Sequence, residues 1–78
     1  PNPFNSSALF RYRLAAPARV DLRVFDLLGR EVLLLEEGWR GAGVHTVRFP
    51  AAGLASGSYA VRLRADGLIL TRRILLLR

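Results

Sequence analysis

The sequence contains no cysteine, no methionine and no lysine, and it has a single histidine among its 78 residues. Without cysteine, no disulfide can staple the domain, and His45 alone cannot supply the ligands of a zinc site. A chain of this length also buries only a small core. We therefore expect its stability to come from strand pairing and an efficient apolar core, or from contacts with another chain or domain.

Long hydrophobic runs are also absent. The longest apolar stretches, residues 32–35 and 74–77, have the length of strands and fall far short of the ~18–20 residues of a membrane-spanning helix. No secretory signal peptide is present, and the first residue is Pro1 rather than methionine. We interpret residues 1–78 as a single domain and as a fragment of a longer protein. With 51% hydrophobic residues, the chain is too apolar for a disordered tail.

Apolar and polar residues alternate along most of the chain. Phe10, Tyr12 and Leu14 alternate with Arg11 and Arg13, which is typical of a strand with one buried face. Similar alternation occurs in five further stretches: residues 20–24, 32–34, 45–49, 59–64 and about 69–77. In the last stretch two adjacent arginines interrupt the pattern, which predicts a bulge there, or burial of both faces further on.

Turn residues separate these stretches. They lie at residues 15–17, at residues 26–29, in a glycine-rich loop over residues 37–43, in a longer connection over residues 50–57, and at Asp66-Gly67. Short strands at intervals of ~8–12 residues, with no helical periodicity, predict an all-β fold. The specific expectation is a small antiparallel immunoglobulin-like β-sandwich of six to seven strands.

The sequence offers no constellation for catalysis. His45 is in phase with Val47 and Phe49, which favours a partly buried core histidine bonded to a backbone group. The six carboxylates are scattered, and no Asp-x-Asp-x-Asp-Gly calcium spacing occurs. We predict no enzyme activity, no metal and no cofactor. No histidine and carboxylate are arranged in sequence around any of the four serines, as a catalytic triad would need. The serines are Ser6, Ser7, Ser56 and Ser58.

Two surface features leave alternatives open. Trp39 could stack on a sugar ring, with Arg40 suited to an anionic sugar, or it could fold back onto the sandwich as a loop-tip residue. A net charge of +6 attracts polyanions, so outward arginines either solvate the sheet or bind anionic polysaccharide. Because the aromatic residues are in phase with the core, we predict no specific nucleic-acid recognition. The outward arginines are Arg11, Arg13, Arg23, Arg48, Arg62 and Arg64.

Four blocks of the sequence carry a family resemblance: PNPFN at residues 1–5, VFDLLGREV at 24–32, GAGVHTVRF at 41–49 and SGSYAVRL at 56–63. The chain resembles the type A C-terminal sorting domain of proteins exported by the type IX secretion system of Bacteroidota-like bacteria. That family is similar in pattern to the immunoglobulin-like domain of flagellar hook-capping proteins. Ser6 stands where the family typically has proline, and all basic residues are arginine, whereas the family usually favours lysine at some of these positions. The matching residues are Asn2, Pro3, Phe4, Asn5, Asp26, Gly29, Gly43, His45, Gly57 and Tyr59.

The resemblance implies that the outer-membrane secretion machinery recognises the folded sandwich, especially its last strand, and that a sortase-like peptidase cuts on its N-terminal side. The cargo would pass through the periplasm to the outer-membrane surface or the extracellular space. In the family, residues 1–5 mark the start of the domain, and Phe4 would plug one end of the sandwich. The expected recognition strand is Arg72, Arg73, Ile74, Leu75, Leu76, Leu77 and Arg78.

A second hypothesis assigns the chain to a different class of protein, a structural or filament-forming module. Such a module would form homo-oligomers by donating strands through exposed sheet edges.

Overall fold

The computed structural model describes the backbone of residues 3–4 and 7–77 and the side chains of residues 8–77. These residues form no helix, and therefore none long and apolar enough to cross a membrane. The prediction of an all-β chain is confirmed. The strands are β1 (Pro3–Phe4), β2 (Ser7–Leu14), β3 (Ala18–Phe25), β4 (Glu31–Arg40), β5 (Gly43–Pro50), β6 (Gly57–Ala65) and β7 (Leu68–Leu76).

The strands form two sheets of unequal size, consistent with the predicted small sandwich. Among the described residues, the larger sheet has the order β1-β7-β6-β3-β4 and the smaller sheet contains β2 and β5. All pairs are antiparallel except β1 with β7, where Pro3 lies opposite Leu75 and Phe4 opposite Leu76. Because two strands face five, the smaller sheet covers only part of the larger one.

The core lies between the sheets and is formed by the side chains that the alternation predicted to face inward. Val20, Val24 and Leu76 of the larger sheet and Phe49 of the smaller sheet are essentially inaccessible to solvent. The ring of Phe10 stacks on Phe49 with 5.8 Å between centroids. Burying side chains of this size contributes ~1.5–3 kcal/mol each, so the core is the main source of stability.

The predicted glycine-rich loop over residues 37–43 is wrong, because β4 continues to Arg40 and only residues 41–42 separate it from β5. The reason is the length of the partner strand. Strand β3 begins at Ala18, which lies opposite Arg40, and Val20 lies opposite Gly38. The ladder therefore satisfies the backbone of this segment, and strand pairing overrides the local turn preference of glycine.

The predicted alternation through Val32 and Leu34 is also wrong. The pairing of β4 with β3 shifts register twice, and at one shift the partner residues jump from Glu36 to Leu34, leaving Leu35 as an extra residue. Such bulges change which face the following side chains occupy. Leu34 is consequently exposed, while Leu35 and Val32 pack against the core. Glu36, opposite the core residue Leu22, lies on the inner face.

The bulge predicted in the last strand is absent, because β7 pairs with β6 in unbroken register from Leu68 to Leu76. Arg72 lies opposite the core residue Val61, so it belongs to the inner face. It is nevertheless exposed. Leu75, on the other face, is half-buried. Incomplete coverage by the smaller sheet, rather than a bulge, explains the adjacent arginines.

Candidate functional site

The last strand has two halves with different surroundings. Near its C-terminal end, Ile74 and Leu76 are buried in the core. At its N-terminal end, Leu68, Ile69 and Leu70 are 61–67% exposed, although all three are large and apolar. Ile74 and Leu76 pack in one cluster with Phe49 of the smaller sheet, which does not extend over the N-terminal half of β7, and β1 lies beside Leu75 and Leu76 only. Among the described residues, no strand pairs with the outer edge of residues 68–72, which we call the free edge of β7.

The structure separates the predicted recognition residues into two groups. Arg72 and Arg73 are exposed and lie on opposite faces of the sheet, and Leu77 is about half exposed. Ile74 and Leu76, in contrast, are core residues that a partner cannot reach while the sandwich is folded. The exposed residues 68–70 were missed by the sequence reasoning. Their signal was three consecutive apolar residues after the Asp66-Gly67 turn, which a half-buried strand cannot bury together.

Several of the residues that carry the family resemblance lie outside the described part of the chain. They are Asn2, Asn5 and Arg78, together with the side chains of Pro3 and Phe4. The backbone of β1 is described, and it pairs with β7. Part of the first block of the resemblance and the end of the expected recognition strand are therefore neighbours at one edge of the larger sheet.

The sequence predicted a turn at residues 26–29, and in the structure this turn between β3 and β4 is organised by Asp26. Its Oδ1 accepts hydrogen bonds from the N–H groups of Leu28 (2.9 Å) and Arg30 (3.0 Å), and its Oδ2 accepts one from Nε of Arg30 (2.8 Å). These donors, first of all the Arg30 N–H, hold the pKa of the Asp26 carboxyl below its usual value. Gly29 adopts φ +80°, a conformation that glycine tolerates best.

His45 contacts a backbone group, as predicted, and belongs to a polar cluster between the sheets. Its Nε2 lies 2.8 Å from the carbonyl oxygen of Gly41, and its ring stacks on Tyr12 at 5.2 Å. The Tyr12 hydroxyl donates to Oε1 of Glu36, and Oε2 of the same carboxylate lies 3.5 Å from Nε of Arg40. Burial and this hydrogen bond raise the pKa of the Tyr12 phenol. The cluster therefore ties the smaller sheet to β4.

Gly57 and Tyr59 lie at the start of β6, beside the C-terminal half of β7. Tyr59 is 7% exposed, opposite Ile74, and its hydroxyl donates to the carbonyl oxygen of Ala55 at 2.6 Å. Gly57 lies opposite Leu76. Both residues of the resemblance therefore support the end of the last strand rather than presenting a surface of their own. The remaining glycine of the resemblance, Gly43, begins β5 with φ +115°.

The outward arginines are divided between the two sheets, so they do not form one basic face. Arg11, Arg13 and Arg48 lie on the smaller sheet, whereas Arg62 and Arg64 lie on the larger sheet. The pattern of alternation could not reveal this, because it distinguishes inward from outward positions without saying which sheet a strand joins. Arg23, also on the larger sheet, is surrounded by carboxylates rather than contributing to a basic surface.

Arg23 is the centre of a charge network on the outer face of the larger sheet. It contacts Asp21 at 2.9 Å, Glu31 at 2.7 Å and Glu37 at 3.4 Å. The hydrogen bond from Arg23 holds the pKa of the Asp21 carboxyl below its usual value, opposed in part by desolvation. Arg62 lies 3.7 Å from Asp21 and places its guanidinium over the Phe25 ring at 4.7 Å from the centroid.

Trp39 is a strand residue of β4 rather than a loop tip, so the interpretation that it folds back onto the sandwich is wrong, whereas stacking on a sugar ring stays a prediction. It lies opposite Arg19, and its side chain is 68% exposed instead of folding back onto the sandwich. Phe25 and Trp39 therefore share the outer face with arginines, although the sequence predicted that the aromatics follow the core. The carboxylates of the network around Arg23 lie on that same face.

The charges of the described residues are distributed unevenly. Five of the six carboxylates contact arginine or tyrosine side chains of the same domain, and Asp66 is the exception. Seven arginines form no ion pair in the described part of the chain: Arg11, Arg13, Arg19, Arg48, Arg64, Arg72 and Arg73. The domain therefore carries uncompensated positive charge and almost no free negative charge, which suits it to acidic partners.

Within residues 8–77, no three histidine, aspartate or glutamate side chains are grouped so that they could hold a metal ion. The arrangement that the described residues do provide is an exposed strand edge flanked by unpaired arginines, a kind of edge to which an extended peptide can add as a further strand. A family model described as the secretion system C-terminal sorting domain matches residues 1–77. No curated protein and no solved structure matches the chain significantly.

Proposed function

The chain belongs to the secretion system C-terminal sorting domains, and from this membership we propose that the exposed part of β7 is what the secretion machinery reads. The domain is a C-terminal sorting signal for type IX secretion, and it directs export to the cell surface or the extracellular space. Interaction with the secretion machinery in general follows from that role. The residues that make the contact are the subject of the proposal.

The observation that carries the proposal is the exposure of Arg72 and Arg73 in the middle of β7, and of Leu77 just after it, while the C-terminal half of the strand is held in the core. Ile74 and Leu76 anchor the strand in the core, so the two arginines keep a fixed position and lie on opposite faces. Both guanidinium groups are free of ion pairs in the described residues, so a partner can bind them without first displacing a carboxylate of this domain. We assign them to recognition and assign the buried residues to support.

The individual partners of the domain are part of the same proposal. The outer-membrane translocon is the component that reads β7, and a sortase-like peptidase acts on the N-terminal side of a single domain spanning residues 1–78. The family is one of non-catalytic sorting signals, and we extend that absence of catalysis to this chain. Anionic polysaccharide is a further partner, held by the exposed arginines of the smaller sheet. Neither the fold nor the comparisons favour the filament-forming alternative.

The test is export of a fluorescent protein fused to this chain in a type IX host. Deleting residues 74–78 is a poor experiment, because it removes the core residues Ile74 and Leu76 and unfolds the domain. The sharper change is Arg72→Gln with Arg73→Gln, which removes two exposed charges and leaves the core intact. We expect the double variant to accumulate in the periplasm while the unsubstituted fusion reaches the medium or the cell surface.

The matched control is Arg19→Gln with Arg64→Gln. It removes the same charge from two exposed, unpaired arginines away from the end of β7, and export should continue. Thermal melts of the purified domains establish that both variants remain folded. Normal export of the folded Arg72/Arg73 variant would exclude these residues from recognition. Periplasmic retention of the unsubstituted fusion would instead contradict the sorting function itself.

A further inference from the structure

A groove lies between the two sheets along the free edge of β7. Its walls are β2, represented by Phe10, and β7, represented by Leu70, and its floor includes Val61 and Leu63 of β6. The cavity has a volume of about 260 Å³ and is open to solvent. It exists because the smaller sheet has two strands and stops short of this edge of the larger sheet. We call it the β2–β7 groove.

The backbone beside this groove is ready to pair with another strand. Asp66 and Gly67 have φ values of +52° and +77°, as in the two-residue turn that closes a hairpin between Ala65 and Leu68. In such a hairpin the residues that flank the turn bond to each other, and alternate residues then point their N–H and C=O groups the other way. Ile69 and Thr71 consequently present these groups to the free edge.

The charges around the groove have one sign. Its charged lining residues are Arg11 on β2 and Arg72 on β7, and no carboxylate lines it. Neither arginine has an ion-pair partner among the described residues. An apolar floor between two free guanidinium groups is complementary to a segment that combines an apolar side chain with acidic ones.

We propose that an extended acidic segment of a partner protein adds to the free edge of β7 and inserts an apolar side chain into the β2–β7 groove. The free edge, residues 68–72, spans roughly 17 Å, which is the length of about five residues of strand. A side chain opposite Leu70 enters the groove, and one two positions away lies opposite Arg72. This inference rests on the proposed sorting function, because it supplies the chemistry by which the secretion machinery would read this strand.

A second copy of the chain is a poor occupant of the groove. A net charge of +6 opposes self-association. The acidic edge strand β4 could in principle supply the segment, but Glu31 and Glu37 are held by Arg23, and Glu36 by Tyr12. The carboxylates of β4 are therefore poor candidates, and we assign the complementary acidic residues to a partner protein.

The probe is a soluble peptide with the core Glu-Thr-Leu-Thr-Glu, whose symmetry serves either strand direction. Binding to the isotope-labelled 78-residue chain is followed by NMR. We expect saturable shifts at Phe10, Leu70 and Thr71. A peptide with lysine in place of glutamate, and a peptide N-methylated at alternate residues, should each bind at least about tenfold more weakly, because charge pairing and backbone hydrogen bonds are lost.

Two substitutions test the two parts of the contact. Thr71→Pro removes an N–H that points to the free edge and leaves the ladder with β6 in place. Within a sheet, proline is tolerated at such a position because the N–H that it lacks would not have bonded to a neighbouring strand. Leu70→Glu places a negative charge in the groove, whereas Leu34→Glu places it on β4 as the matched control. We expect the first two variants to lose binding about tenfold or more and the control to retain it.

Four outcomes would overturn the inference: no saturable binding, equal binding of the lysine peptide, equal binding of the N-methylated peptide, or self-association of the chain through this edge. The peptides leave the domain unchanged, so the result does not depend on whether Thr71→Pro folds. Export of the fluorescent fusion is measured in parallel. Export without peptide binding would remove only this inference, whereas failure of the unsubstituted fusion to be exported would remove the proposed function.

Discussion

Tyr59 carries two contributions to stability that substitutions can separate. Its ring is 7% exposed and its hydroxyl donates to the carbonyl oxygen of Ala55 at 2.6 Å. Tyr59→Phe removes only the hydrogen bond, which is worth ~0.5–1.5 kcal/mol. Tyr59→Ala also removes the ring, and large-to-small changes of this kind cost ~3–5 kcal/mol. A domain of this length has a total stability of roughly 4–12 kcal/mol, so the alanine variant loses a large part of it.

The assay is thermal unfolding followed by circular dichroism. For a domain of this size, 1 kcal/mol corresponds to a shift of about 4–8 °C in the melting temperature. We expect Tyr59→Phe to melt about 2–12 °C lower, and Tyr59→Ala to melt more than ~12 °C lower or to be unfolded at room temperature. Leu68→Ala is the control, because that side chain is 67% exposed and its loss should cost less than ~0.5 kcal/mol. An alanine variant at position 59 that melts within a few degrees of the parent would refute the assigned burial.

Two further predictions concern charged groups. Asp21 and Asp26 have pKa values below their unfolded value, so their stabilising effect is full above that value and is lost as the pH falls through the lowered values in the folded state. The melting temperature should therefore decrease when the pH is lowered below about 4. The decrease should be less steep for Asp26→Asn, whose melting temperature should already be lower at neutral pH, and an equally steep decrease would contradict this prediction. Arg13→Gln with Arg48→Gln should weaken binding to an anionic polysaccharide such as heparin without changing the melt. That binding should decrease with salt, and salt-independent binding would exclude an electrostatic contact.

Local signals in the sequence were sufficient for most of the strands, for several turns and for much of the core. Phe10, Tyr12 and Leu14 alternate with arginines, and that period specifies which side chains face inward whatever the partner strand is. The Asp66-Gly67 turn and the turn at Asp26 were predictable for a related reason, since residue type alone indicates where a positive φ or a side-chain cap is tolerated.

Features that depend on a distant partner were not predictable. The glycines near Trp39 resemble a loop until the length of β3 is known, because the ladder to Ala18 determines where β4 ends. Leu68 and Leu70 look like core residues in the sequence, and only the narrowness of the smaller sheet leaves them exposed. The family resemblance likewise included Ile74 and Leu76 in the recognition strand, and it could not distinguish the residues that hold the strand from those that face solvent.

The parallel pairing of β1 with β7 has a mechanical consequence. Pro3 and Phe4 run in the same direction as Leu75 and Leu76. Tension between the chain ahead of β1 and the end of β7 therefore pulls the two strands along their axes in opposite directions, so that it shears their contacts together instead of opening them one at a time. Such a force acts on the β1–β7 pairing before it acts on the central β6–β3 pairing. Strand β1, at the start of the domain, therefore stabilises β7, at its end, against pulling.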